Sequence, residues 1–172
     1  KEIKDVLAYM RVLINPEDSV SLKRIVNVPA RGIGKTSLEK VEAYCRGKAL
    51  TLFEGLRQAG QGGLIGAAAT KKIANFISIM DRLDSIYRQS NPLELLTEVI
   101  DRSGYATMLK NEDTRESKGR MENLNELYSA VEQLVENENG SLREFLDSTA
   151  LVADLDNLDD TRGILPLMTL HT

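Results

Sequence analysis

The residue types most able to do chemistry are concentrated in Ile25 to Val41, which reads I-V-N-V-P-A-R-G-I-G-K-T-S-L-E-K-V. Gly32-Ile33-Gly34 permits a tight turn whose backbone N–H groups can face outward. A helix is expected to restart at about Thr36, adding unpaired amides and the positive end of a helix dipole at the same spot. Arg31 and Lys35 flank the turn with positive charge. Such an arrangement can hold a phosphate through backbone N–H groups and needs no catalytic side chain. It would position a protein on a phosphate backbone without reading sequence. On the residues alone a plain helix–helix connector accounts for the same stretch, because glycine punctuates such joints.

Gly62-Gly63-Leu64-Ile65-Gly66, followed by Lys71-Lys72-Ile73, repeats the theme of glycines, an apolar filler, a helix start and basic residues. Gly63, Gly66, Lys71 and Lys72 are therefore weaker candidates for a second phosphate contact. The competing account is a flexible loop before a long helix. Other chemistries find no support. Arg31 to Thr36 lacks the glycine spacing of a P-loop. The lone His171 has no partners at ligand spacing, so no metal site is expected. Without a Ser/His/Asp set, no catalytic residue is assigned. Arg115, Lys118 and Arg120 lie near the start of a long helix, where cations oppose the dipole. They are expected to pair with Glu116 and Glu122.

These candidates need a scaffold, and 172 residues with 42% apolar content are enough for one domain with a proper core. With no Trp, five Tyr and three Phe, that core must rest on Leu, Ile, Val and Ala, which suits packed helices. The net charge of −4 argues against a uniformly basic nucleic-acid binder and leaves local patches as the only basic surfaces. Cys45 is the single cysteine, so no disulfide can form within the chain, and a reducing, cytoplasmic setting is expected. No apolar run reaches the ~18–20 residues that span a bilayer. Lys1 to Asp5 reads as the start of an amphipathic helix rather than a signal peptide. Starting in mid-pattern without Met, the chain reads as a piece of something larger.

Ile3, Val6, Leu7, Met10, Leu13 and Ile14 form one apolar helix face, stopped by Asn15-Pro16. A short helix from Val20 to Val26 leads into the first glycine turn. Thr36-x-x-Glu39 reads as a capping box for a helix that Gly47 closes. Thr51-x-x-Glu54 starts a short helix ending near Ala59. Ala69, Ile73, Phe76, Met80, Leu83 and Tyr87 are the seam of a long helix. Asn91-Pro92 with Glu94 opens another, with Leu93, Leu96, Val99 and Ile100 inward. Ser103-Gly104 ends it, and Tyr105 to Lys110 is a brief helical turn. Asp113 to Glu136 is a second long helix, with Met121, Leu124, Tyr128, Val131 and Val135 on one stripe. Gly140-Ser141-x-x-Glu144 caps a last helix carrying Leu142, Phe145, Leu146 and Ala150. An acidic loop, Asp154 to Asp160, and a strand-like tail, Ile164 to Thr172, follow. The expected architecture is all-α, seven to nine helices in a bundle-like subdomain, plus a short C-terminal strand-like tail.

Several stretches, in order, resemble superfamily I DNA helicases of the UvrD/PcrA/Rep group. Lys1 to Arg11 is similar to the segment after motif IV of that group, and Asn27 to Gly34 to its N-x-P-x-R-G-I-G signature. Ser103-Gly104-Tyr105 and Arg120 to Leu127 match further family stretches. Leu167 to Thr172 resembles the opening of motif V, which in the family continues into Ala-Lys-Gly-Leu-Glu-Phe.

The resemblance implies that residues 1–162 form a 2B-like helical subdomain, and that residues 163–172 are a truncated strand returning to the RecA-like 2A domain. It implies an accessory duplex-DNA-binding and regulatory part of an ATP-dependent 3′-to-5′ helicase in DNA repair or replication. The alternative is a protein-interaction or autoinhibitory module of the same helicase. Helix-hairpin-helix-like turns then make Arg31, Gly32, Ile33, Gly34, Lys35 and Thr36 DNA-binding candidates. The second turn departs from the family's pattern by one inserted residue. Thr169 and His171 would belong to motif V. ATP and Mg²⁺ would serve the parent helicase and no cofactor this fragment, which would be inactive alone. Expected partners are the duplex backbone, the motor domains, and repair or replication proteins, with no membrane.

Overall fold

The computed structural model describes residues 1–138 and 142–147, and the described chain is all-α. The elements run α1 (Glu2–Ile14), α2 (Ser19–Ile25), α3 (Lys35–Lys48), α4 (Leu52–Gln61), α5 (Ala67–Tyr87), α6 (Pro92–Arg102), α7 (Tyr105–Glu112) and α8 (Arg115–Glu138). Residues 142–147 are also helical. The Ser141 cap, Ala150, the acidic loop, the strand-like tail, Thr169 and His171 lie outside the described residues.

Local chemistry explains most boundaries. Asp18 Oδ1 accepts from the N–H groups of Val20 and Ser21 to start α2. Asn91 Oδ1 does the same for Leu93 and Glu94, ahead of a proline whose missing N–H is harmless in the first turn. Thr51 and Glu54 form the reciprocal capping box of α4. Two boundaries differ from the sequence reading. Helix α3 does not stop at Gly47 but runs to Lys48, and Ala49 takes the left-handed position at φ 54°. Thr36 caps nothing, because α3 begins one residue earlier, at Lys35 behind Gly34.

Helix α1 is the centre of the molecule. Expected to bury one face, it is covered on nearly every side, with Val6 to Met10 all buried. Helices α2, α5, α6 and α8 pack around it. Helix α4 lies between α3 and α5, and closeness there depends on glycine. A Cβ at Gly60 would stand 3.3 Å from Ala74 Cα. On α6 the buried side is Leu95, Leu96 and Val99, with Leu93 and Ile100 at its margin. On α8, Leu124, Leu127 and Val131 are buried, whereas Tyr128 is 37% exposed and leaves the expected stripe.

Two carboxylates, Glu2 and Asp5, enter this core with α1 and are 5% and 2% exposed. Burying such groups is costly unless they are paired and hydrogen-bonded. Asp5 accepts from Arg24 Nε at 2.7 Å and from the Tyr105 hydroxyl at 2.8 Å. Glu2 accepts from Asn123 Nδ2 at 2.6 Å. Arg120 donates to Glu112 and to the Tyr105 hydroxyl, both at 3.2 Å, and lies 3.6 Å from Glu2. Arg120 thus ties α8 to α1 and α7 instead of pairing with Glu116 or Glu122, and Lys118 pairs with Asp113 at 2.9 Å. For Arg120 the expected pairing along the helix gives way because the buried Glu2 lies within its reach, whereas Lys118 takes an exposed partner just ahead of the helix.

Candidate nucleic-acid interface

Asn27 shapes the first glycine turn. Its Oδ1 accepts the N–H groups of Arg31 at 2.8 Å and Ile33 at 3.1 Å, so one side-chain oxygen gathers two amides of the loop. The chain passes through a cis Val28–Pro29 bond just before it. Gly32 sits at φ +68°, where glycine is favoured, and Ile33 is 4% exposed, anchoring the turn in the core. The Gly34 carbonyl accepts from Ser37 and Leu38 at 3.1 and 3.2 Å. With Gly34 as N-cap, no side chain caps α3. The N–H groups of Gly34, Lys35 and Thr36 have no partner among the described residues, and all three residues are exposed. A capping box at Thr36 and Glu39 would have taken the Thr36 N–H out of this donor set. Gly34 leaves it open.

Arg31 does not reach outward. Its Nη1 donates to the carbonyls of Ile25 and Pro29, each at 3.1 Å. Its Nη2 donates to the Tyr9 hydroxyl at 2.7 Å and to the Ser103 carbonyl at 2.9 Å. The guanidinium carbon lies 5.9 Å from the centre of the Tyr9 ring and 5.3 Å from that of Phe76. Ser103 follows the last turn of α6, where the helix dipole favours a cation.

Tyr9, fully buried, donates to the Val28 carbonyl at 2.6 Å. Burial pushes its hydroxyl up to about 12, against the opposing pull of Arg31. Tyr105 is also raised to about 12, by burial and by its bond to Asp5. Both shifts favour the protonated phenol in the folded state. The associated stability is full below the ordinary value of 10.0 and is lost as pH rises from there towards 12. In an alkaline titration followed by tyrosinate absorbance, two of the five tyrosines should therefore ionise late. Tyr9→Phe should remove one late step.

The second glycine turn meets the first through Lys72. Its Nζ donates to the Gly32 carbonyl at 3.0 Å, across 40 residues. Lys72 and Phe76 stand one turn apart on α5, and both face the Arg31–Gly34 segment. Gly62 and Gly63 have φ of +106° and +88°. Gly66 precedes α5 with no side-chain cap, as Gly34 precedes α3. Lys71 is exposed, and the Lys35 side chain is 90% exposed with only a 3.8 Å pair to Glu39.

Of the candidate residues, then, Gly32, Gly34, Lys35, Thr36, Gly63, Gly66, Lys71 and Lys72 are exposed. Arg31 and Ile33 are held by the protein's interior. Asn27 and Tyr9, though both lie in stretches that carry the family resemblance, are not among the candidate site residues of the sequence. Asn27 had a signal, an amide side chain ahead of a proline and a G-x-G turn, a common loop acceptor. Tyr9 had none, being one more apolar position on α1. Among the described residues no helix is long and apolar enough to cross a membrane.

These features define a class, an all-α module in which the glycine-initiated, uncapped starts of α3 and α5 are brought together by a lysine. Residues 1–172 match the family described as UvrD-like helicase C-terminal domain, and the chain belongs to that family. It is 39% identical to the ATP-dependent DNA helicase PcrA of Staphylococcus aureus (strain Mu50), over all of this chain and 24% of that protein. It is 38% identical to the ATP-dependent DNA helicase PcrA of Bacillus subtilis (strain 168), over 99% of this chain and 24% of that protein. The chain spans about a quarter of the length of these curated relatives.

Proposed function

We propose that this chain is the accessory duplex-binding and regulatory 2B subdomain of an ATP-dependent 3′-to-5′ DNA helicase of repair or replication. The observation that carries this reading is the open set of amides at Gly34, Lys35 and Thr36, with Lys72 held against the same turn. Those N–H groups take a phosphate oxygen, and Lys35 and Lys72 supply the attraction that brings the backbone in. Gly63, Gly66 and Lys71 extend the contact along α5. No base edge is read, as suits a subdomain that must hold any sequence ahead of a moving fork. ATP and Mg²⁺ act in the parent's motor domains, where residues 163–172 would lead.

Anisotropy titration of the 172-residue chain with a short mixed-sequence duplex tests this. The expected dissociation constant is in the ~10⁻⁴–10⁻⁶ M range of non-specific binding and rises with salt. Lys35→Gln and Lys72→Gln should each lower the slope of log K against log salt by about 0.9. Absence of binding at low salt, or slopes that neither substitution changes, would sink the proposal. A chain with net charge −4 that binds no duplex but captures repair or replication proteins would instead be an interaction module.

A further inference from the structure

The N-x-P-x-R-G-I-G stretch invites the view that its arginine touches phosphate. The geometry points elsewhere. We infer that Arg31 is a positioning residue, holding the phosphate-facing turn in shape from within and making no contact with DNA itself. This rests on the duplex-binding reading above.

A guanidinium offers five N–H donors, four of them on its two terminal nitrogens. Here those four are all spent, on the carbonyls of Ile25, Pro29 and Ser103 and on the Tyr9 hydroxyl. A bidentate phosphate contact needs at least one terminal donor, and none remains. The partners also come from every side of the turn. Ile25 ends α2, Pro29 lies in the approach, Tyr9 is on α1, Ser103 follows α6, and Phe76 packs from α5. One side chain thus ties the loop to four helices. The Arg31 N–H, meanwhile, shares Asn27 Oδ1 with Ile33. Position 31 is fixed at both backbone and side chain, and the open amides at the start of α3 begin three residues later. A turn held this way meets phosphate with its donors already arranged, which saves the ordering cost that weakens a flexible loop.

Lysine cannot replace this arginine, since an ammonium has no planar fork to reach four acceptors lying in different directions. Two variants separate the roles. Arg31→Lys keeps the charge, and Tyr9→Phe removes one hydroxyl of a fully buried residue while keeping the ring under the guanidinium. Duplex affinity is measured by anisotropy on the 172-residue chain, at a temperature where circular dichroism shows each variant folded. Each should bind about tenfold more weakly, the scale expected when a preorganised donor set becomes mobile. Without DNA, amide hydrogen exchange at Arg31 and Ile33 should quicken in both variants.

Wild-type affinity in Arg31→Lys would overturn the inference, because a lysine satisfies a direct phosphate contact. Wild-type affinity in folded Tyr9→Phe would also overturn it, as would a lowered melting temperature with binding intact, the mark of a purely structural role. If Arg31→Lys does not fold, Tyr9→Phe decides by the same readouts. Failure of the unsubstituted chain to bind any duplex would remove the duplex reading, and the exchange measurement would still report whether Arg31 shapes the turn.

Discussion

Gly55→Ala should destabilise the chain by about 3 kcal/mol, the upper part of the range for overpacking a tight core. Gly55 lies inside α4, where alanine is normally the better helix former, so helix propensity alone predicts a gain. Packing reverses the sign. A Cβ at position 55 would overlap Cys45 Sγ and stand 3.1 Å from Val41 Cγ1, both on α3. Val41 is fully buried, Cys45 is 6% exposed, and its thiol already donates to the Thr51 carbonyl at 3.4 Å, so neither neighbour has room to retreat. Urea unfolding should show a lower midpoint with an unchanged m-value. Adding Cys45→Ala removes the overlapping sulfur and should recover about 2 kcal/mol, a coupling typical of residues in direct contact. An additive double mutant would show that α3 and α4 do not meet at this pair.

Arg24→Met should cost a similar amount, about 3 kcal/mol, the low end for removing one partner of a buried ion pair. The low end applies because Arg24 is itself 39% exposed and already partly solvated. What matters is the group left behind. Asp5 is 2% exposed, and after the substitution only the Tyr105 hydroxyl faces its carboxylate. Adding Asp5→Asn removes the stranded charge while keeping an acceptor for Tyr105, so most of the loss should return. Thermal melts of the wild type, both single variants and the double variant check this directly. If the double variant is no more stable than Arg24→Met, the lost stability came from packing and not from charge. The same network should make Arg120 a poor phosphate ligand, since it is already committed to Glu112, Glu2 and Tyr105.

The first glycine turn shows how one residue pattern can be right about place and incomplete about roles. Gly32-Ile33-Gly34 reads as a turn before a helix, and α3 does begin there. Thr36 reads as part of a capping box, yet the helix starts one residue sooner and its first amides stay open. Thr36 and Glu39 have the spacing of a cap but lie within α3, whereas Thr51 stands just ahead of α4 and caps it with Glu54. Lys72 reads as belonging to the second turn, since it follows that turn in the chain. In space it reaches Gly32, on the first.

The sequence by itself determined the existence, order and approximate ends of the helices described here, because those follow from interactions within a few residues. Periodic apolar spacing, the Asn91-Pro92 start and the Thr51–Glu54 box all act over one or two turns. Ordered motif resemblance added the family, which the comparison over residues 1–172 bears out. Only the tertiary structure decided which charges face inward. Glu2, Asp5 and Arg31 look like surface residues on any local criterion. The burial of Glu2 and Asp5, and the half-burial of Arg31, depend on partners as distant in sequence as Asn123, Tyr105 and Ser103. A buried charge is tolerated only when such partners complete its hydrogen bonds, and that condition is met by the packed helices together, not by any one of them.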